Sequence, residues 1–195
     1  VLEDMKISTG AMRQEVAHVP SPKGFDFESS GFVITDSDIG VYARPEVGNH
    51  ILIGSEDPEC DAREWVDPDN YNREFTDQWT IQVHREAQRI PTLPIPSRMR
   101  GVVDLYDVSD DWIPIYDRSC LHGFYMAIGT SGNQFKNAPV AGKLMAELVL
   151  ACEAGHDHDA NPVQFELTHI GRTIDVGFYS RRRKINENSS FSVLG

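Results

Sequence analysis

No two of the 15 glycines stand two residues apart, so the chain has no G-x-G-x-x-G turn, the fingerprint with which many folds hold a dinucleotide. A P-loop is missing as well: Gly142-Lys143 is followed by Leu144, and the position five before Gly142 is Asn137. G-x-S-x-G fails at its last position, because Gly129-Thr130-Ser131-Gly132 runs into Asn133, which argues against a serine hydrolase built on a nucleophile elbow. No apolar run approaches the roughly 20 residues a membrane helix needs. The first residues, Val1-Leu2-Glu3-Asp4, carry neither the basic region nor the apolar core of a secretory signal. The location expected is therefore cytoplasmic, with the mitochondrial matrix as the alternative. Cysteine is scarce: Cys60, Cys120 and Cys152 are odd in number and form no C-x-x-C, so reduced, partly buried thiols are expected. Positive charge is short too, and a formal net charge of −12 argues against non-specific nucleic-acid binding. Only Arg181-Arg182-Arg183-Lys184 runs the other way. The plain reading is a solvated segment or one that pairs with acidic surface, a targeting or nucleic-acid role being the alternative.

What is present is enough for one sizeable core or two small lobes: 195 residues, 40% of them hydrophobic, with no internal repeat or low-complexity tract. Strands are predicted over 12–19 and 31–35, then over 39–44 and 49–54, where Pro45-Glu46-Val47-Gly48 favours a tight reversal. Asp67-Pro68 reads as a cap and first-turn pair. The helix it opens would carry Phe75, Trp79, Val83 and Ala87 on one stripe, leave Arg73, Asp77, Arg85 and Glu86 available to water, and end before Pro91. After a proline-rich connection, strands are predicted over 102–108, 113–116 and 122–129. The polar tail beyond Gly155 gives no firm element. Antiparallel strands, a helix, more strands and a long helix predict an α+β fold, an antiparallel mixed sheet with flanking helices.

The most informative stretch runs from His122 to Glu147: a buried strand, a glycine-rich turn with one lysine, and a helix with Pro139 in its first turn. Val140, Leu144, Leu148 and Cys152 form its expected buried stripe, Lys143 and Glu147 face water, and Gly155 is the expected stop. Small residues emptying from a strand into a helix start are a place where backbone N–H groups can meet an electron-rich ligand. The turn Gly129, Thr130, Ser131, Gly132, Asn133, Gln134, Phe135, Lys136 is therefore the first candidate site. His156-Asp157-His158-Asp159 could ligate a metal, but reads better as plain solvent-exposed chain. Asp67, Asp69 and Asn72 lack the glycine and terminal glutamate of a calcium loop and read better as a helix start, so no metal is expected.

Three separated segments resemble a family. Val41-Tyr42-Ala43-Arg44-Pro45-Glu46-Val47-Gly48 with Ile51-Leu52-Ile53-Gly54 is similar to a "Y-x-R-P-x-x-G…LLIG" hairpin; residues 101–117 to "G-x-Y-D-x-T-P-D…P-I-I-G"; and residues 123–147 to "GFY-x-A-x-G-x-S-G-H-G-F-K-x-A-P…G-x-L-x-A-E-L". Together and in this order they resemble the carboxy-terminal half of the FAD-dependent amine and amino-acid oxidoreductases. This is the D-amino-acid oxidase superfamily, which includes glycine oxidase, sarcosine oxidase and dimethylglycine dehydrogenase. The resemblance implies a two-lobed flavoenzyme whose amino-terminal FAD domain, carrying G-x-G-x-x-G, is absent from these 195 residues. The chain would be a fragment or one subunit of a split enzyme, inactive by itself. Residues 1–100 would form the substrate-binding sheet and helix, and residues 101–195 the end of that domain plus the strand, turn and helix that return to the flavin.

The same resemblance places the part of the turn from Ser131 to Lys136 against the pyrimidine side of a non-covalently held FAD, gives Lys136 the substrate carboxylate, and sets Tyr42 and Tyr106 near the substrate. The plain alternatives are a lysine facing water and two half-buried strand tyrosines. Departures count as well. Asn133-Gln134 stand where many relatives have His-Gly. Asp104 stands where sarcosine oxidases have a flavin-tethering cysteine, and Leu52 where they have an oxygen-activating lysine, so a dehydrogenase is favoured over an oxidase. The implied reaction is hydride transfer from the carbon beside the nitrogen of a small amine or amino acid, the imine then being hydrolysed. The expected partners are that substrate and the missing FAD domain or subunit, with self-association of the bare piece. The rival reading is a non-catalytic binding or assembly module of the same fold.

Overall fold

The computed structural model describes residues 3–23 and 32–193. The chain divides into two compact units, Ala11–Leu105 and a second formed by Val1–Gly10 with Tyr106–Gly195. Among the described residues, no helix is long and apolar enough to cross a membrane.

The unit Ala11–Leu105 is built on a sheet of β1 (Thr9–Pro20), β2 (Ile34–Asp36), β3 (Val41–Glu46), β4 (His50–Ser55), β5 (Glu64–Val66) and the first part of β6 (Gly101–Ser109). Its order is β2-β3-β4-β1-β5, with β6 also paired to β1. The expected hairpin is there, its turn tightened onto Gly48 and Asn49 at φ 79° and 56°. The strand predicted over 31–35 begins outside the described residues, and β2 starts at Ile34. Period-two alternation does the sorting. In register, Ala17 and Ala43 flank Ile53, and Val19 neighbours Ile51, so one face of three strands is continuously apolar. That face buries Trp79 and Val83 of α1 (Asp77–Arg89). Gly101 passes β1 so closely that a Cβ there would lie 1.9 Å from the Val16 carbonyl oxygen, which only glycine permits.

The start of α1 corrects an expectation. Asp67 caps no helix: its carbonyl accepts from Asn70 N–H at 3.1 Å and its carboxylate from Asp69 N–H at 2.9 Å, closing a local turn. The helix begins ten residues later, after Thr76, whose hydroxyl accepts from Gln78 N–H. Buried Glu15 receives the Thr76 N–H at 2.9 Å and its hydroxyl at 2.7 Å, while Arg13 pairs with Glu15 at 2.9 Å and also donates to the carbonyls of Asn72 and Glu74. A charged pair on β1 thus holds the segment entering α1, a long-range constraint that outweighs the local Asp-Pro signal. Phe75 consequently lies ahead of the helix, still packed on the core.

The other unit pairs β7 (Ile115–Arg118) with β8 (Tyr125–Ile128) and β9 (Gln164–Leu167) with β10 (Arg172–Asp175), both antiparallel. The first hairpin is shorter than the strands predicted over 113–116 and 122–129. Helix α2 (Ala138–Glu153) sets Leu144 and Leu148 against Tyr116, Phe165 and Val176, and Gly155 follows it at φ 91°. Val140 is not in the stripe; it is 43% exposed, and Ala141 packs inward instead. At 3.6 residues per turn a strict spacing of four drifts around the helix, and three steps back from Cys152 carry it off the buried face. The architecture is α+β with antiparallel sheets and few helices.

The tail is more ordered than its polarity suggests. Arg181 is completely buried and pairs with Asp4 at 2.6 Å, Asp117 at 3.0 Å and Asp159 at 2.8 Å. His158, expected as exposed chain, is 1% exposed; its Nδ1 accepts the Val163 N–H at 3.0 Å, and burial pushes its pKa down. Its Nε2 lies 3.5 Å from the Asp117 carboxylate. The partners come from three distant places in the chain, so no local pattern announces the cluster. Among the described residues no group of three or more His, Cys, Asp or Glu could hold a metal ion. The three cysteines are free; Cys152 is half-buried as expected, but Cys60 and Cys120 lie in loops between elements and are exposed.

Candidate functional site

Strand β8 ends at Ile128, and the backbone then turns through the left-handed region at Gly129 (φ 68°), Ser131 (φ 50°) and Gly132 (φ 76°). Glycine takes this conformation freely, but Ser131 does not. It is held there fully buried, its N–H donating to the Asp107 carbonyl at 3.0 Å and its hydroxyl bonded to the Gly129 carbonyl at 3.3 Å. The Asp107 carboxylate accepts the N–H groups of Gly129 at 2.7 Å and Thr130 at 3.1 Å, and the Thr130 hydroxyl. Four of the turn's donors, three N–H groups and one hydroxyl, are therefore spent on one residue of β6. Those of Gly132, Gln134 and Phe135 find no acceptor among the described residues.

Tyr106, the neighbour of Asp107, lays its ring over Gly132; a Cβ at Gly132 would stand 2.4 Å from the ring. Beyond Gly132 the side chains form a chain of amides. Gln134 donates to Asn133, Asn137 donates to Gln134 at 2.9 Å, and the Tyr116 hydroxyl reaches Gln134 at 3.3 Å. Burial pushes the Tyr116 phenol up. Asn133 is 9% exposed and its Nδ2 has no partner among the described residues. A single 3₁₀ turn, Phe135–Asn137, leads into α2, whose first turn holds no acidic residue and whose Asn137 cap gives no side-chain bond. The positive end of the helix is thus uncompensated.

These residues border an open cleft of about 700 Å³, with Tyr106 and Gly132 at one side, Tyr116 and Gln134 behind, and Ala141 and Met145 of α2 opposite. None of the described residues that line it is charged. The cleft brings together Tyr106, Thr130, Gly132, Gln134 and Phe135 of the predicted set. Gly129, Ser131 and Asn133 support it from within, and Lys136 is exposed and outside its lining. Tyr42 belongs to the other unit, half-buried on the sheet face away from α1, its ring against Gly54.

Two features escaped the sequence reading. Asp107 is one; the available signal was an acidic residue between Tyr106 and Val108 in the second half of β6. The other is a histidine pair on the Tyr42 face of the sheet, His18 and His50, with ring centroids 4.6 Å apart and the His18 pKa pushed down by burial and by His50. Only the β1–β4 register, which sets Pro20 opposite His50 and His18 opposite Leu52, brings the two rings together.

No curated protein matches the chain. Among solved structures it is similar to L-proline dehydrogenase from P. horikoshii, with a TM-score of 0.62 and 17% identity over 93% of this chain. It spans 41% of that structure's length. At that identity the likeness is one of fold. The family model described as DAO, FAD dependent oxidoreductase, matches residues 2–148, which takes in the β3–β4 and β7–β8 hairpins, the turn and most of α2. The chain belongs to the DAO family of FAD-dependent oxidoreductases.

Proposed function

We propose that this chain is the substrate-side part of an FAD-dependent dehydrogenase that takes a hydride from the carbon next to the nitrogen of a small amine or amino acid. What carries the reading is the donor set of the turn: three unpartnered N–H groups and the buried Asn133 Nδ2, gathered at the uncompensated positive end of α2. Such a set suits a flat group presenting carbonyl and ring-nitrogen acceptors, and so fits the edge of a flavin. FAD, when bound, supplies the hydride acceptor.

The residues of this chain orient and stabilise. Gly132, Gln134 and Phe135 would donate to the acceptor edge, Tyr106 would wall the cleft, and Tyr42 would be an aromatic contact for the substrate on its own unit. Lys136, exposed beside the turn, would fix a substrate carboxylate by charge. No residue is assigned as general base, because hydride transfer from a neutral amine requires none. Residues 1–100 would serve the substrate and residues 101–195 the return to the flavin, with the FAD domain or subunit as partner. The exposed Phe135, Val140 and Leu150, at 96%, 43% and 71%, support an apolar contact surface for that partner.

The test is an anaerobic titration of the flavin-bearing native protein with a panel of secondary and primary amino acids, followed by visible absorbance. Bleaching of the flavin band by one substrate class supports the proposal. A native protein that stays colourless with FAD and its neighbouring subunits added would instead leave a binding module.

A further inference from the structure

We propose that Asp107 is a positioning residue that decides which N–H groups of the turn are offered to a ligand, an inference that rests on the flavin reading above. The turn from Gly129 to Phe135 could present its donors in either direction. Asp107 settles the matter with four acceptances: its carboxylate takes Gly129 N–H, Thr130 N–H and the Thr130 hydroxyl, and its carbonyl takes Ser131 N–H. A carboxylate is acceptor-only and binds N–H groups more strongly than a neutral oxygen, so these donors stay inward. Tyr106, the preceding residue on β6, meets the middle of the same turn at Gly132. Consecutive residues of one strand therefore hold the first half of the loop, from Gly129 to Gly132. Ser131 is kept left-handed between them, and the donors beyond it, at Gly132, Gln134 and Phe135, are the ones left for a ligand.

Asp107 would touch neither substrate nor flavin; it acts through the turn. The experiment is hydrogen exchange over residues 129–135 in the native protein, with FAD bound and after its removal. Gly129 and Thr130 amides are expected to be protected in both states, and those of Gly132, Gln134 and Phe135 only with FAD. Asp107→Ala should speed exchange at Gly129 and Thr130 roughly tenfold or more and weaken FAD binding, with exchange in the Ala11–Leu105 unit unchanged. Asp107→Asn, which keeps an oxygen acceptor, should recover part of both. Free exchange of Gly129 and Thr130 in the wild type, or an Asp107→Ala protein that binds FAD with wild-type affinity and spectrum, would overturn the assignment. Should the native protein take up no FAD, the flavin reading fails alone, and exchange at Gly129 and Thr130 in the variants still supports or overturns the part played by Asp107.

Discussion

The ring of Tyr106 occupies the space that a side chain at Gly132 would need, 2.4 Å from a Cβ placed there. Gly132 also sits at φ 76°. Gly132→Ala therefore meets two penalties, a left-handed backbone and a displaced aromatic ring, and should cost about 1–3 kcal/mol. Tyr106→Ala in the same chain should return the steric share, which a double-mutant cycle in denaturant melts would measure. Strict additivity of the two substitutions would count against the contact.

Lys136 stands apart from the cleft lining, exposed at the start of the 3₁₀ turn. If it fixes a substrate carboxylate, Lys136→Ala should raise KM about tenfold or more for carboxylated substrates and leave kcat nearly unchanged. An amine without a carboxylate should be indifferent to the substitution. Steady-state kinetics on the two substrate classes separates the outcomes.

Arg181 and Asp117 are both fully buried, and removing Arg181 takes the ion pair from a carboxylate that has no access to water. Arg181→Ala should cost about 3–5 kcal/mol in urea unfolding. Loss of less than 1 kcal/mol would mean that Asp4, Asp117 and Asp159 find other partners.

The same cluster sets an acid limit. The Arg181 hydrogen bond holds the Asp4 carboxyl down at about 2, and it also lowers Asp159. A carboxylate depressed in the folded state contributes stability above its unfolded value and loses it as pH falls through the folded one. Stability should decline from about pH 4 toward pH 2, and thermal melts of Asp4→Asn across that window should show a shallower decline.

Glu86 of α1 runs in the opposite sense. The helical pattern sets it in water, yet it is 1% exposed, neither carboxylate oxygen has a partner among the described residues, and burial pushes its pKa up. Its ionisation weakens the fold as pH rises through the raised value. Glu86→Leu should stabilise the protein at pH 7 by about 1–3 kcal/mol, an advantage that shrinks in acid.

The β3–β4 hairpin, α2 and the turn before it were legible because their signals are local: alternation, a reversal sequence, a proline inside a first turn and a glycine after a last one. The entry to α1 was not, because the residues that hold it, Arg13 and Glu15, lie on β1. Nor was the tail, where the partners of Arg181 are spread from Asp4 to Asp159. At the candidate site the sequence points to the turn as a segment. Which of its donors face outward depends on Asp107, and that pairing appears only when β6 and the turn meet.

Glu15 and Thr76 are 61 residues apart, yet the first turn of α1 leans on their two hydrogen bonds. The chain from 16 to 75 must loop back before that support exists, and the entropy of closing the loop is spent before the contact returns anything. Early in folding, α1 can flicker as an isolated helix but not persist, since thirteen residues are near the lower limit for independent helicity in water. Helix and sheet in this unit should therefore appear in a single kinetic phase, with the rate set by the search that brings β1 to the helix start.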